Sequence, residues 1–189
     1  MGNREDLLAG ARKVIVERGI AKATARDIAS AAGVSLAAIG YHFGSKDALI
    51  TEALAESLGT GIGDGMEALI QEGSGMAPLA AFAQMWNAMP NIFRDNHEAM
   101  LASMENLVRA SRSPESQKFF ADGMPHIYQD MGNALRQAHP QLTAEQAHAI
   151  AQLHWVLVQG LGVLGVVAPA ADLPDGDRLA EAITALTGA

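Results

Sequence analysis

Between Thr24 and Leu49 the apolar residues keep helical spacing, but two breaks interrupt them, at Gly33-Val34 and Gly44-Ser45. Two short helices joined by a tight glycine-containing turn are the helix-turn-helix arrangement, which confines the N-terminal part to a small helical unit. Thr24-Ala25-Arg26-Asp27 has the Thr-x-x-acid spacing of a helix N-terminus, so a second helix is expected to open there and bury Ile28, Ala29 and Ala32. Ser35 is expected to restart helix at once, with Ile39 and Phe43, four apart, pointing inward. Ser45 then caps a fourth helix through Ala48, Leu49 and Ala53. Ahead of all this, Asn3 reads as the cap of a first helix. Glu5 and Asp6 lie in its first turn, Leu7, Leu8, Ala11, Val14 and Ile15 on its inner stripe, and Gly19-Ile20 at its stop.

Downstream the pattern stays helical, over about 46–72, 77–95, 97–112, 114–138, 143–168 and 175–187. Breakers separate most of these segments, among them Gly73-Ser74-Gly75, Ser113-Pro114 and His139-Pro140. No stretch alternates as a strand does, so the fold class is all-α, with about nine helices in all. The expected division is a helix-turn-helix head at 1–46 and a helical body at 47–189. The boundary lies inside the fourth helix, so no flexible linker separates the parts.

Composition narrows the function classes. The 189 residues are 49% hydrophobic and 18% charged, which excludes a disordered chain. With no cysteine, disulfides, thiolate catalysis and cysteine-based zinc sites are ruled out. The start MGNREDLLAG lacks a signal-peptide core, so a cytoplasmic protein is expected. The formal charge of −8 argues against nucleic acid until its distribution is considered. Residues 1–50 hold seven Lys/Arg against five Asp/Glu, and residues 51–189 hold six against sixteen. A mildly basic head on an acidic body suits a reading head that touches phosphates while the body does something else.

Three features invite other readings. Gly160-Leu-Gly162-Val-Leu-Gly165 matches a dinucleotide fingerprint, but helix precedes it and Pro169 follows, so close helix packing is the expected role. Gln146 to Ala171 contains no charged residue. Polar Gln152, His154 and Gln159 and the lack of a basic flank favour a buried or subunit-interface helix over a membrane span. Glycines at 59, 61, 63 and 65 would cost a helix about 1 kcal/mol each relative to alanine, so fraying or bending is expected there. His148 and His154, six apart, fall on different helix faces and make a poor metal pair. No Ser-His-acid set can be assembled. Neither an enzyme, a metal site nor a cofactor is expected.

TARDIASAAGVSLAAIGYHFGSKDALI closely resembles the reading head of TetR-family transcriptional repressors. The shared pattern is a Thr-capped helix, an Ala-x-x-x-Gly-Val turn, a short helix ending in Tyr/His-Phe, and Ser-Lys-x-x-Leu. The resemblance covers about 45 residues. It implies a homodimer through the last two helices, about 143–168 and 175–187, on a near-palindromic operator in double-stranded DNA, with a small-molecule effector in the body and no membrane. Family positions then assign roles. Thr24 contacts a phosphate, Arg26 reaches a base edge, and Ser35, Leu36, Ala37 and Ala38 present the recognition helix to the groove, the apolar three by methyl contact only. Tyr41, His42 and Lys46 hold phosphates, with packing against the first helix as the alternative for Tyr41 and His42. Gly40 stands where the family often has tyrosine.

In the body, Met85, Trp86, Met89, Met100, Met104, Phe120, Met124, Tyr128, His154 and Trp155 fall at spacings that could line one cavity or form a plain core. As a group they suggest an apolar or aromatic ligand, with Gln152, His154 or His97 as polar contacts. The function expected is a DNA-binding repressor released from its operator by such a ligand. The alternative is a helix-turn-helix dimer acting as activator or architectural adaptor without an inducer.

Overall fold

The computed structural model describes residues 3–188, and no strand occurs among them. The helices are α1 (Asn3–Arg18), α2 (Ala25–Ala32), α3 (Ala37–Phe43), α4 (Lys46–Leu58), α5 (Asp64–Glu72), α6 (Pro78–Asp95), α7 (His97–Ala110), α8 (Pro114–Ala138), α9 (Ala144–Val167) and α10 (Gly176–Thr187). A π-helical turn, Gly59–Gly63, joins α4 to α5 without a break. With α4 and α5 counted as one interrupted helical stretch, the described helices number nine, as the periodicity predicts.

The punctuation acts locally. Gly19 takes φ 74° and its N–H donates to Ile15 O at 2.8 Å, ending α1. Gly33, at φ 68°, ends α2 in the left-handed conformation that glycine tolerates, and the Val34 N–H donates back to Ala29 O at 3.0 Å. Thr24 and Ser45 cap α2 and α4 by accepting the backbone N–H of Asp27 and Ala48, each at 3.1 Å. Two expected caps are corrected. Asn3 already belongs to α1. Ser35 supplies only its carbonyl, to Ala38 N–H at 3.1 Å, and α3 starts at Ala37 with Leu36 in the capping position.

The described chain forms two compact units, one reaching to Gly59 and including Glu98–Gly123, the other comprising Thr60–His97 and the chain from Met124 onward. In the first, α1 packs on α2, α3 and α4. Leu7, Ile28, Leu49 and Ile50 are fully buried at its centre. Gly10 brings α1 close to α2: a Cβ there would lie 2.9 Å from Ala32 N and 3.0 Å from Ile28 O. On the other side of α4, Asn106 of α7 donates to the Thr51 hydroxyl at 2.9 Å, and Thr51 meets Ser116 of α8 at 3.2 Å. All three are buried, and Asn106 Oδ1 has no partner. Arg109 pairs with Asp47 at the start of α4. The segment Glu98–Gly123 is therefore built into the unit that carries the head.

In the second unit, two of the four spaced glycines serve close packing. A Cβ on Gly61 would overlap the Asn96 amide, and one on Gly65 would lie 2.9 Å from Ile92 Cδ1. The glycine run does not fray: helix continues through it as the π-helical turn. At the start of α10, the Gly176 N–H donates to Asn87 Oδ1 at 2.8 Å, and a Cβ on Gly176 would overlap the backbone of α6 at Ala83. The Gly160-to-Gly165 run lies inside α9, with helix rather than strand before it. The apolar α9 is not buried by its own chain: 22% of its most hydrophobic window is covered, and Val156 and Val167 are largely exposed.

Candidate nucleic-acid interface and ligand site

The head presents its predicted DNA-facing residues unevenly. Leu7, Ile28, Ile39 and Phe43 share one core, which fixes the backs of α2 and α3. Arg26 is consequently exposed on α2, and Leu36 (51% exposed), Ala37 and Tyr41 (86% exposed) stand out from α3. An exposed leucine and tyrosine on one short helix are unusual for a solvated face, whereas a DNA groove offers thymine methyls and phosphates to each. Ser35 is exposed in the turn. Ala38 is the exception: it is 8% exposed and packed in the head core, so its methyl is not presented to a groove. Helical phase explains this, since Ala38 sits beside Ile39 and four residues after Val34, which packs on the same core.

The phosphate candidates lie at two places. Lys46 donates from Nζ to Ala23 O at 2.9 Å, which holds its ammonium beside the N-terminus of α2. Thr24, next along, donates its hydroxyl to Asp27 Oδ2 at 2.6 Å, while Arg18 pairs with the other Asp27 oxygen at 2.9 Å. The hydroxyl bond from Thr24, and then the Arg18 charge, hold the Asp27 carboxyl below its ordinary range. The Thr24 proton is thus spent within the protein, and the backbone N–H groups opening α2 are what remain for a phosphate. At the end of α3, Tyr41 meets half-buried His42 edge-on, with centroids 4.8 Å apart, and His42 in turn lies 6.4 Å from the Phe43 ring. Tyr41 does not pack against α1. Around Gly40 there is open space, so no neighbour within the chain requires glycine there.

The ten predicted ligand residues are divided between the units: Met100, Met104 and Phe120 belong to the first, and the other seven to the second. A partly open cavity of about 30 Å³ in the second unit is lined by Met85 and His154 together with Phe82, Leu135, His139 and Ile150. Trp86 and Met89 are buried core beside it, while Trp155 and Met124 are half-buried and do not line it. Tyr128 lies instead in an open groove of about 320 Å³ between α8 and α9, edge-on to His148 at 5.8 Å and near Arg136. Gln152 and His97 are exposed.

In the wall of the smaller cavity, His154 accepts a hydrogen bond on Nδ1 from Trp86 Nε1 at 3.0 Å and stacks on Phe82 at 5.3 Å. Burial pushes its imidazole down to about 4, so it is neutral at pH 7 with its proton on Nε2. His139, only 3% exposed, has an Nδ1 without a partner. Sequence reasoning missed His139 and Phe82. The His139-Pro140 pair reads as a helix stop, and the one available signal was a histidine four residues after Leu135, on the same helix face.

A helix-turn-helix head with an exposed, sparsely polar recognition helix, joined to further helices with no strand among the described residues, defines a DNA-binding regulator of the all-α class. Residues 7–53 match the family model described as bacterial regulatory proteins, tetR family. A 53-residue stretch is 42% identical to the HTH-type transcriptional repressor KstR2 of Rhodococcus jostii strain RHA1, covering 28% of this chain and 26% of that protein. The match thus spans about a quarter of the curated relative. The whole fold is similar to the TetR family repressor AlkX of Dietzia sp. strain DQ12-45-1b, with TM-score 0.63 and 18% identity over 97% of this chain and 91% of that one. It is similar also to the multidrug binding protein EbrR, solved with imidazole, with TM-score 0.65 and 21% identity over 98% and 95% of the two chains. The family match is confined to the head, residues 7–53, where the chain is similar to TetR-family regulators.

Proposed function

We propose that this protein is a transcriptional repressor that binds a near-palindromic operator as a homodimer and leaves it when a small apolar or aromatic ligand enters the body. Residues 1–46 read DNA, and residues 47–189 bind the ligand and dimerise. The observation that carries the reading is the exposure of Arg26, Leu36, Ala37 and Tyr41 on a head whose opposite faces are fully buried. Arg26 reads a base, Leu36 and Ala37 make methyl contacts, and Tyr41, His42 and Lys46, with the α2 N-terminus, hold the backbone. The uncovered apolar face of α9, with α10, supports dimerisation, since a two-fold interface would remove Val156 and Val167 from water. The likeness to EbrR, which was solved with a small molecule, supports an effector in the body. Ligand binding favours a form of the body that disfavours DNA, so DNA must weaken ligand binding by the same factor.

A second reading has its own support. With a cavity beside His154 of only about 30 Å³, the body fits an activator or architectural dimer that needs no inducer. Selecting bound duplexes from a random pool and screening compounds for their release separates the two. A palindrome recovered from the pool and released by an apolar compound is expected. Recovery of no preferred sequence would remove the repressor reading.

A further inference from the structure

The cavity lined by Met85 and His154 is apolar apart from its two histidines, and each has one hydrogen-bonding position to offer. Of the side chains that border it, none carries a permanent charge. His154 has already committed Nδ1 to Trp86, which leaves Nε2–H, a donor. His139 has Nδ1 unpartnered while almost wholly buried. An unpaired buried polar atom is costly, about 1–3 kcal/mol, and is kept where something compensates. A space of about 30 Å³ has the size of one hydroxyl or water, so both rings border a volume that a single polar group would fill. The remaining wall, Ile70, Phe82, Met85, Leu135, Leu142 and Ile150, is aliphatic and aromatic. Met85 is the most adaptable of these and can yield room to a larger body.

We propose that this cavity receives the single hydroxyl of an otherwise apolar, uncharged ligand, held between His139 and His154. The hydroxyl oxygen accepts from His154 Nε2–H, and the hydroxyl and His139 Nδ1 pair with each other. A carboxylate or ammonium is disfavoured because no opposite charge borders the cavity to offset its desolvation. An alkane or plain arene is disfavoured because it leaves His139 unpaired. The inference rests on the reading of the second unit as the ligand-binding part, and it names the chemistry of that ligand.

The test is isothermal titration of the full chain with phenol, benzene and benzoate, which share one ring and differ in the polar group. Phenol is expected to bind about tenfold or more tightly than benzene, the value of one well-placed buried hydrogen bond, and benzoate more weakly than phenol. In His139→Leu the preference for phenol over benzene should shrink several-fold while benzene still binds, which shows that the variant is folded. Tyr128→Phe, in the open groove, should leave the preference unchanged. Equal affinity for phenol and benzene, binding of neither, tighter binding of benzoate, or a preference that survives His139→Leu would each overturn the proposal. A parallel DNA-binding measurement keeps the two readings apart. Phenol that binds with the stated preference but leaves DNA affinity unchanged removes the inducer reading and keeps the site. Release of DNA by compounds that do not compete with phenol keeps the inducer reading and overturns the assignment of this cavity to the inducer.

Discussion

Acidification should destabilise this protein through His154, beginning near pH 6.5. In the folded chain the His154 imidazole is held at about 4 by burial, against 6.5 when exposed. Between those values the unfolded chain binds a proton that the folded one refuses, so stability falls as pH falls from 6.5 and levels off below about 4. At about 1.4 kcal/mol per pH unit, the full loss is roughly 3 kcal/mol, and roughly 2–2.5 kcal/mol of it accrues between pH 7 and 4.5. The structure adds a reason for the direction. With Nε2 already protonated, the second proton must go to Nδ1, the atom that accepts the Trp86 N–H at 3.0 Å. The comparison variant is His154→Gln, whose amide oxygen can take the Trp86 bond without titrating. Urea unfolding followed by circular dichroism, at one fixed protein concentration, should show the wild type losing roughly 2 kcal/mol more than the variant from pH 7 to 4.5. Equal losses in the two proteins would show that His154 is not the buried neutral group described. Asp27, held low first by the Thr24 hydroxyl, and Glu115, held low first by backbone hydrogen bonding, act in a different window. Their contributions are present above 3.8 and 4.5 respectively and are lost as pH falls below those values.

Three further outcomes follow from particular contacts. Gly10→Ala should cost about 1–3 kcal/mol by forcing α1 off the α2 backbone, whereas Gly40→Ala, in open space, should stabilise by up to about 1 kcal/mol, both read from urea midpoints. If Gly40→Ala also weakens DNA binding, the glycine is serving close approach to DNA. Arg26→Ala should relax base preference in a duplex competition, while Lys46→Ala should weaken binding to all sequences and lower the salt slope by about 1; identical specificity profiles would refute that division. Thr51→Val should cost about 1–3 kcal/mol, since it strands both Asn106 and Ser116. Asn106→Leu should cost less, because it also removes an oxygen that is already unpaired, and denaturant unfolding of both variants checks the order.

Helix positions and ends were almost fully legible in the residues. Caps, stops and breakers act over three or four residues, so Thr24, Gly33 and Ser45 could be assigned without knowing what packs where. Ser35 misled because a serine's preference for capping is only a preference, and here its carbonyl did the work while Leu36 took the capping position. Ala38 was misplaced because the family pattern names positions that face DNA, but the phase of a seven-residue helix turns this one inward.

The sequence by itself determined an all-helical chain with a helix-turn-helix head, because helical periodicity and glycine punctuation are properties of neighbours along the chain. Only the tertiary structure decided which helices share a unit. Met100, Met104 and Phe120 joined the head's unit, while Met85 and His154 came together with the unforeseen His139 around a cavity. Periodicity says that a residue faces something apolar but not which helix supplies it. The same holds for Gly61, whose need for close approach is visible only once Asn96, 35 positions away, is seen against it.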